Sequence, residues 1–378
     1  MFDKLPISSK TEKILTKSLD EPITVEEANY LLNIKGSDLY PLLATADYLR
    51  EKIVGDKVTF INNCNINFTN ICTVRCGFCA FGKDADDPEA YILNDSQILS
   101  KAQKAFENGV HEFCIMGGVL PDADIEYYEH ILHLLKDTYP DVLIHGFSPT
   151  MVRDACNISG IDIAEGFERL KIAGLDTLPG TAAEILTDRS REIICPEKVS
   201  VSEWIDVVKT AQEVGIKGSA TIMYGHVETL EERVEHIDII RKIQEETHGF
   251  TEFIPMTFMY EYSPIFLQGQ RNLGATGSED LKLYAVSRLM LRDLIENIQV
   301  SWVKMGFRFA QVSLTAGAND LGGTLGGDEL SAASGAPDGV NASIDTLSHM
   351  VKNLGRNPIE RNSTYTEFYP ITSNIASK

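Results

Sequence analysis

From Val58 onward short β-branched or apolar runs alternate with amphipathic helical stretches, and this alternation constrains the fold more than any other feature of the chain. The runs expected as strands are Thr59 to Phe68, Glu112 to Met116, Val142 to Phe147, Leu175 to Leu178, Gly218 to Tyr224, Glu252 to Phe258, Gln299 to Val303 and a short one near Leu314. Between them the helices carry start and stop signals. One helix, from about Asp95 to Glu107, puts Ile98, Leu99, Ala102, Ala105 and Phe106 on one face, with Asp95 or Ser96 as its cap and Gly109 at its end. Another follows Ser202 and turns Trp204, Val207, Val208 and Ala211 inward before Gly215. A third opens on Thr229 and Glu232 at capping-box spacing and runs to Gly249. Such alternation implies a parallel sheet with right-handed crossovers. Eight units in about 270 residues predict a closed (β/α)8 TIM-type barrel in place of an open sheet. No G-x-G-x-x-G follows the first strand, which argues against a dinucleotide site. The expected divisions are a helical extension over 1–56, broken near Gly36, a barrel over 57–345 and a tail over 346–378 packing on it. The stretch Gly317 to Gly339 is expected to be a long barrel-end loop.

Charge narrows the partners. Against 34 Lys+Arg stand 55 Asp+Glu, a net charge of -21, which repels nucleic-acid phosphates and anionic lipid. No apolar run reaches bilayer length, and the opening MFDKLPISSKTEK lacks the apolar stretch of a secretory signal. The expected compartment is therefore the cytoplasm, where thiols stay reduced. Seven cysteines there ask for chemistry in place of disulfides. Cys64, Cys114, Cys156 and Cys195 are scattered, whereas Cys72, Cys76 and Cys79 form C-x3-C-x2-C directly after the first strand. On a barrel that is the C-terminal end, where the chemistry of this fold sits. Three thiolates so spaced can hold three irons of a cubane cluster and leave the fourth open. A structural zinc would want four ligands, and Cys64, within the strand, is expected to pack as a small hydrophobe.

Other strand ends offer further groups. Met116-Gly117-Gly118 closes the second strand, and two glycines there allow close approach of a ligand or simply make a tight turn. The third ends in His145-Gly146-Phe147-Ser148, in which His145 is read as structural. The fourth leads to Glu184, followed by Asp188, Arg189 and Arg191; carboxylate and guanidinium together suit a zwitterionic amino-acid moiety, or form a solvated ion pair. His226 and Glu228 follow the fifth strand at once and are the catalytic candidates, although Glu228 also suits a helix start. The sixth delivers Pro255, Thr257 and Tyr260, and the last Asn319 and Asp320.

With Phe78 as its aromatic position, the cysteine motif resembles that of the radical SAM enzymes. Further stretches (NFTNIC and FCAF, MGG, GLDTLPGTAAEIL, ICPEK, TIMYGHVET, EETHGFTEFIP and GANDLGGT) resemble the Fo synthase subunit 2 family, CofH, from about Asn67 to Asn362. The resemblance implies a radical SAM barrel that carries a [4Fe-4S] cluster on Cys72, Cys76 and Cys79. It places Gly117, Ser148 and Glu184 around S-adenosylmethionine, with Phe78, Gly118, Arg189 and Arg191 completing that set, and His226 near the substrate with Glu228. Members of that family join the 4-hydroxybenzyl group of L-tyrosine to 5-amino-6-(D-ribitylamino)uracil, on the way to the deazaflavin of coenzyme F-420. The implied course is hydrogen abstraction from the tyrosine amino group, Cα–Cβ cleavage to a delocalised benzyl radical, and addition to C5 of the uracil, with 2-iminoacetate released. A separate radical SAM partner, Fo synthase subunit 1, would close the ring, and a ferredoxin or flavodoxin would supply electrons. Enzymes of the futalosine route to menaquinone share the cysteines and the barrel, but Thr181 in PGTAA favours the deazaflavin branch. The chain departs from the family at Gly326-Gly327-Asp328-Glu329, where Met-Glu-Glu is usual. A non-catalytic iron–sulfur carrier would share the cysteines yet have no need of the Met116-Gly117-Gly118 turn or of Glu184.

Overall fold

The run expected as one strand breaks at Asn62 in the computed structural model, which describes residues 7–269, 272–369 and 371. Lys57–Ile61 (β1) and Asn63–Asn67 (β2) belong to different sheets. The Asn62 side-chain amide donates to the carbonyls of Asn108 and Gly109 at 3.1 and 2.9 Å, which pins the break against the end of the helix Asp95–Glu107. Then come Glu112–Met116 (β3), Leu143–Gly146 (β4), Thr177–Leu178 (β5), Lys217–Tyr224 (β6), Phe250–Thr257 (β7) and Asn297–Ile298 (β8). From β2 to β8 the strands lie side by side in chain order, all parallel.

The eighth place belongs to Asp320–Gly323 (β9). A parallel bridge from Gln299 to Asp320 joins it to β8, and another from Cys64 to Gly326 returns to β2, so the barrel closes. Near Leu314, where a strand was expected, the chain makes a 3-10 turn, Leu314–Ala316. The seventh strand is likewise cut short, because Trp302 turns away into a helix, Trp302–Met305. Its buried indole donates to the Gly323 carbonyl at 2.9 Å and stacks on Phe307. The segment Gly317 to Gly339 is thus not one loop, since it holds β9 and the helix Glu329–Ala333. Asp-Leu-Gly-Gly lacks any β-branched signal. Gly323 is nonetheless demanded there, because a Cβ on it would lie 2.0 Å from Asn63 Oδ1.

Below the barrel, β1 pairs with β9 and with Asn357–Arg361 (β10), and β10 pairs antiparallel with Phe368–Tyr369 (β11). The helices keep their expected buried faces, except that Phe106 is half exposed and packs its ring on Tyr139. Asn94, not Asp95 or Ser96, caps Asp95–Glu107, in a reciprocal box with Gln97. At the N-terminal side the helices Ser9–Lys17, Val25–Asn33 and Leu39–Val54 bury Leu15, Leu31, Leu32 and Leu42 in the same core as the barrel helices. Each such leucine contributes roughly 1.5–3 kcal/mol by leaving water. Among the described residues no helix is long and apolar enough to cross a membrane.

Candidate active site at the mouth of the barrel

The loop after β2 carries the three cysteines, and its neighbours clamp it on both sides. On one side it lies against Gly117 and Gly118. A Cβ on Gly118 would stand 2.0 Å from the Ile71 carbonyl oxygen and 2.9 Å from Cys72 Cβ. What these glycines admit, then, is the backbone of the cysteine loop itself. Gly118 N–H donates to the Thr69 carbonyl at 2.9 Å, and Val119 N–H to Cys72 Sγ at 3.3 Å. On the other side Gly77 N–H donates to the Ile194 carbonyl, and the Gly77 carbonyl accepts from Ile265 N–H, both at 2.7 Å.

Of the residues singled out from the sequence, Cys72, Cys76, Cys79, Phe78, Gly117, Gly118, Ser148 and Glu184 line one cavity of about 210 Å³, as do Met116, Thr181 and Thr257. All seven cysteines are free. Among the described residues no three His, Cys, Asp or Glu side chains close on a single ion, so the three thiols wall a space suited to a larger group. Burial raises the Cys76 thiol far above its ordinary range, so a metal would have to displace its proton. On that donor chemistry the site fits an iron–sulfur cluster held by three cysteines. Ser148 caps the helix Pro149–Ser159 at the rim, accepting from Met151 N–H at 3.3 Å.

Glu184 reaches the cavity from a strained turn, in which its φ is 44° and that of Ala182 is 68°. Arg191 holds the turn from behind. Its guanidinium donates to the carbonyls of Ala182 (3.0 Å) and Ala183 (2.6 Å), and also to that of Val199. The Glu184 carboxylate accepts from Lys198 Nζ at 2.5 Å, and the same ammonium lies 5.1 Å from the centre of the Phe78 ring. Burial pushes the Glu184 carboxyl up, but the Lys198 charge and hydrogen bond outweigh it and hold the group below the ordinary carboxylate range. Lys198 belongs to Ile194-Cys195-Pro196-Glu197-Lys198, a stretch already conspicuous in the sequence, yet the lysine itself carried no local signal of its role. Lys304, Met223 and Met256 also line the cavity and were not singled out.

The remaining candidates lie elsewhere. Arg189 is exposed and pairs with Glu232, and Arg191 is spent on backbone, so neither guanidinium lines the cavity. His226 and Glu228 are buried behind the wall, contrary to the expectation of a direct role. Glu228 accepts from Gly225 N–H (2.6 Å), His226 N–H (2.9 Å) and Arg233 Nε (2.7 Å), which closes the turn after β6. Burial lowers the His226 pKa against the opposing charge of Glu228, whose carboxylate lies 3.0 Å from Nδ1. Since a carbonyl can only accept, Nε2–H donates to that of Met223 at 3.0 Å, and Nδ1 accepts from Val227 N–H at 2.8 Å. His145 bonds Thr177 Oγ1 at 2.8 Å over a separate, polar cavity of about 130 Å³ inside the barrel. Asn319 and Asp320 lie at the base, because the last strand begins at Asp320 instead of ending there. Asn319 Oδ1 accepts from Arg288 (2.8 Å), and Asp320 accepts from Arg361 (2.7 Å). Of the groups from β7, Thr257 lines the mouth and Tyr260 an adjoining outer cavity of about 410 Å³. The Pro255 carbonyl is taken by Tyr284. Inner and outer cavities share Thr257, Phe258, Met259, Lys304 and Ser334.

Two families match successive parts of the chain. Residues 66–240 match the Radical SAM superfamily, and residues 247–375 match the CofH/MqnC C-terminal region. The chain is 50% identical over 361 residues to a protein of Methanothermobacter thermautotrophicus named 5-amino-6-(D-ribitylamino)uracil–L-tyrosine 4-hydroxyphenyl transferase, covering 96% of this chain and 98% of that one. A Methanosarcina barkeri protein of the same name, numbered 2, is 44% identical over 99% of this chain and 96% of its own length. Among solved structures, methylornithine synthase (PylB) superposes with a TM-score of 0.71 at 19% identity, covering 93% of this chain and 97% of that one. The [FeFe]-hydrogenase maturase HydG of Carboxydothermus hydrogenoformans gives 0.73 at 16% identity, covering 94% and 80%. At such identities these two likenesses concern the fold alone.

Proposed function

The chain belongs to the 5-amino-6-(D-ribitylamino)uracil–L-tyrosine 4-hydroxyphenyl transferase family of radical SAM proteins, and from that premise we propose that it joins the 4-hydroxybenzyl group of L-tyrosine to 5-amino-6-(D-ribitylamino)uracil, releasing 2-iminoacetate. The observation that carries this reading is the convergence of three free cysteines and the Glu184–Lys198 pair on one cavity that shares a wall of five residues with a second. A carrier of clusters has no need of the second space.

Radical SAM proteins use a [4Fe-4S] cluster and S-adenosylmethionine, which together supply a 5′-deoxyadenosyl radical. In this chain Cys72, Cys76 and Cys79 would hold the cluster as thiolates. Their loop is clamped by contacts with Gly118, Ile194 and Ile265, which fix where the three thiols stand. Glu184 and Ser148 present oxygen acceptors on the far wall for the cofactor's hydrogen-bond donors, and Lys198 keeps Glu184 ionised. Met116, Met223, Met256 and Phe258 make the rest of the wall largely apolar, which keeps water from the reacting centre. His226 and Glu228 act from behind, as the latch of the turn after β6. The reading carries two partners: a separate radical SAM protein that closes the deazaflavin ring, and a cytoplasmic low-potential donor such as ferredoxin or flavodoxin.

Labelled tyrosine tests it. In anaerobic assays with reductant, carbon-13 at tyrosine Cβ should enter the uracil adduct, and label at Cα should leave with the imine. Label from Cα in the adduct would overturn the cleavage. Turnover of a futalosine precursor would place the chain in menaquinone synthesis, and cluster binding with no 5′-deoxyadenosine formed would make it a carrier.

A further inference from the structure

Two ammonium groups line the inner cavity, and their surroundings differ. Lys198 is neutralised by Glu184 at 2.5 Å. Lys304, on the short helix Trp302–Met305, donates to Ser331 Oγ at 3.1 Å, and among the described residues it has no carboxylate within 4.0 Å. It also lines the outer cavity, so it stands at the junction of the two. Burial lowers its hold on a proton, with Asp328 the foremost charge opposing that. Lys304 is partly withdrawn from water, and a ligand that displaces the remaining water is favoured if it brings an anion to an ammonium with no carboxylate in reach.

Of the small molecules that enter the proposed reaction, only one brings a free anion to that place, and the 2-iminoacetate released keeps that same carboxylate. The diaminouracil with its ribityl chain is neutral. The amino and carboxylate groups of S-adenosylmethionine would be taken by the open iron of a cluster held on Cys72, Cys76 and Cys79. L-Tyrosine alone retains an unspent carboxylate. We propose that Lys304 Nζ binds the α-carboxylate of L-tyrosine at the junction of the cavities, with the tyrosine amino group facing the inner one. Selection of an amino acid over an amine then falls to Lys304. This rests on the tyrosine reading given above.

Anaerobic calorimetry on the protein loaded with cluster and S-adenosylmethionine tests it, with L-tyrosine and tyramine (the same molecule without the carboxylate) as probes. The native chain should bind tyrosine at least roughly tenfold more tightly than tyramine, the scale of one charged hydrogen bond. Lys304→Met should weaken tyrosine by roughly 10- to 100-fold and leave tyramine and S-adenosylmethionine within about twofold. Lys304→Arg should keep most of the preference. A preference that survives in Lys304→Met overturns the assignment. Should that variant fail to load its cluster, the native comparison decides alone, and equal affinities for the two probes overturn it. Binding of S-adenosylmethionine with neither probe bound would sink the tyrosine reading itself, and Lys304 with it.

Discussion

At the base of the barrel Arg361 donates to Asp320 at 2.7 Å and to Glu252 at 3.1 Å, and the Tyr365 hydroxyl also reaches Glu252. At the mouth, by contrast, three free thiols line a cavity together with Lys304, which among the described residues meets a hydroxyl, that of Ser331, in place of a carboxylate. Both ends bury ionisable groups, and both perturb them. Glu252 is pushed up to about 7, chiefly by burial, with Arg361 opposing and Asp320 adding to the rise. A perturbed carboxyl alone would therefore have pointed to the wrong end. What separates the ends is how completely they are paired: charges at the base answer one another and hold the small sheet to the barrel, while at the mouth Glu184 answers Lys198 but Lys304 has no carboxylate and the thiols are free.

The sharpest way to break this contrast is at the cysteine loop. Cys76→Ala should abolish cluster loading and turnover while leaving the far-ultraviolet circular dichroism unchanged, and Cys64→Ser should load normally. Full four-iron content in Cys76→Ala would remove the mouth's claim to the chemistry. Next in size is Arg361→Met, which leaves Asp320 and Glu252 buried without their counter-charge. It should cost about 3–5 kcal/mol in urea unfolding, with iron content per folded molecule retained. A smaller effect is expected of Glu184→Gln, where affinity for S-adenosylmethionine should fall by roughly 1–3 kcal/mol by calorimetry. Unchanged affinity would leave Glu184 as a partner of Lys198 only.

The smallest effect concerns pH at the base. Because the folded-state pKa of Glu252 lies above the ordinary 4.5, the folded protein binds this proton more tightly than the unfolded chain does. Its stabilising contribution is complete below 4.5 and is lost as pH rises through about 7. Between about pH 5 and 8 the native chain should lose on the order of 2 kcal/mol more stability than Glu252→Gln, read from urea midpoints at each pH. Equal losses would mean that Arg361 keeps Glu252 ionised throughout.

Periodicity and spacing are local properties, and what rests on them was legible in the chain. The alternation of strands and helices, the capping box at Thr229 and Glu232, and the C-x3-C-x2-C loop at a strand end needed no knowledge of distant residues. Arg191 and Arg189 show where such reading stops. Two residues apart, one is buried against its own loop and the other is exposed on Glu232, and only packing decides which way each turns. β9 was missed because Asp320-Leu321-Gly322-Gly323 has no strand signal of its own; it is a strand because β1 and β8 supply its partners. His226 and Glu228 follow a strand directly, yet the backbone donors of the turn claim their polar atoms. Lys198 and Lys304 lie far apart in the chain and share one cavity only because the barrel closes, so which of them finds a carboxylate is a fact of tertiary structure alone. Local sequence thus determined the strand-and-helix plan and where the cluster would sit. Closure determined which polar groups are answered from within, since a side chain's partners come from strands the chain reaches only after going round.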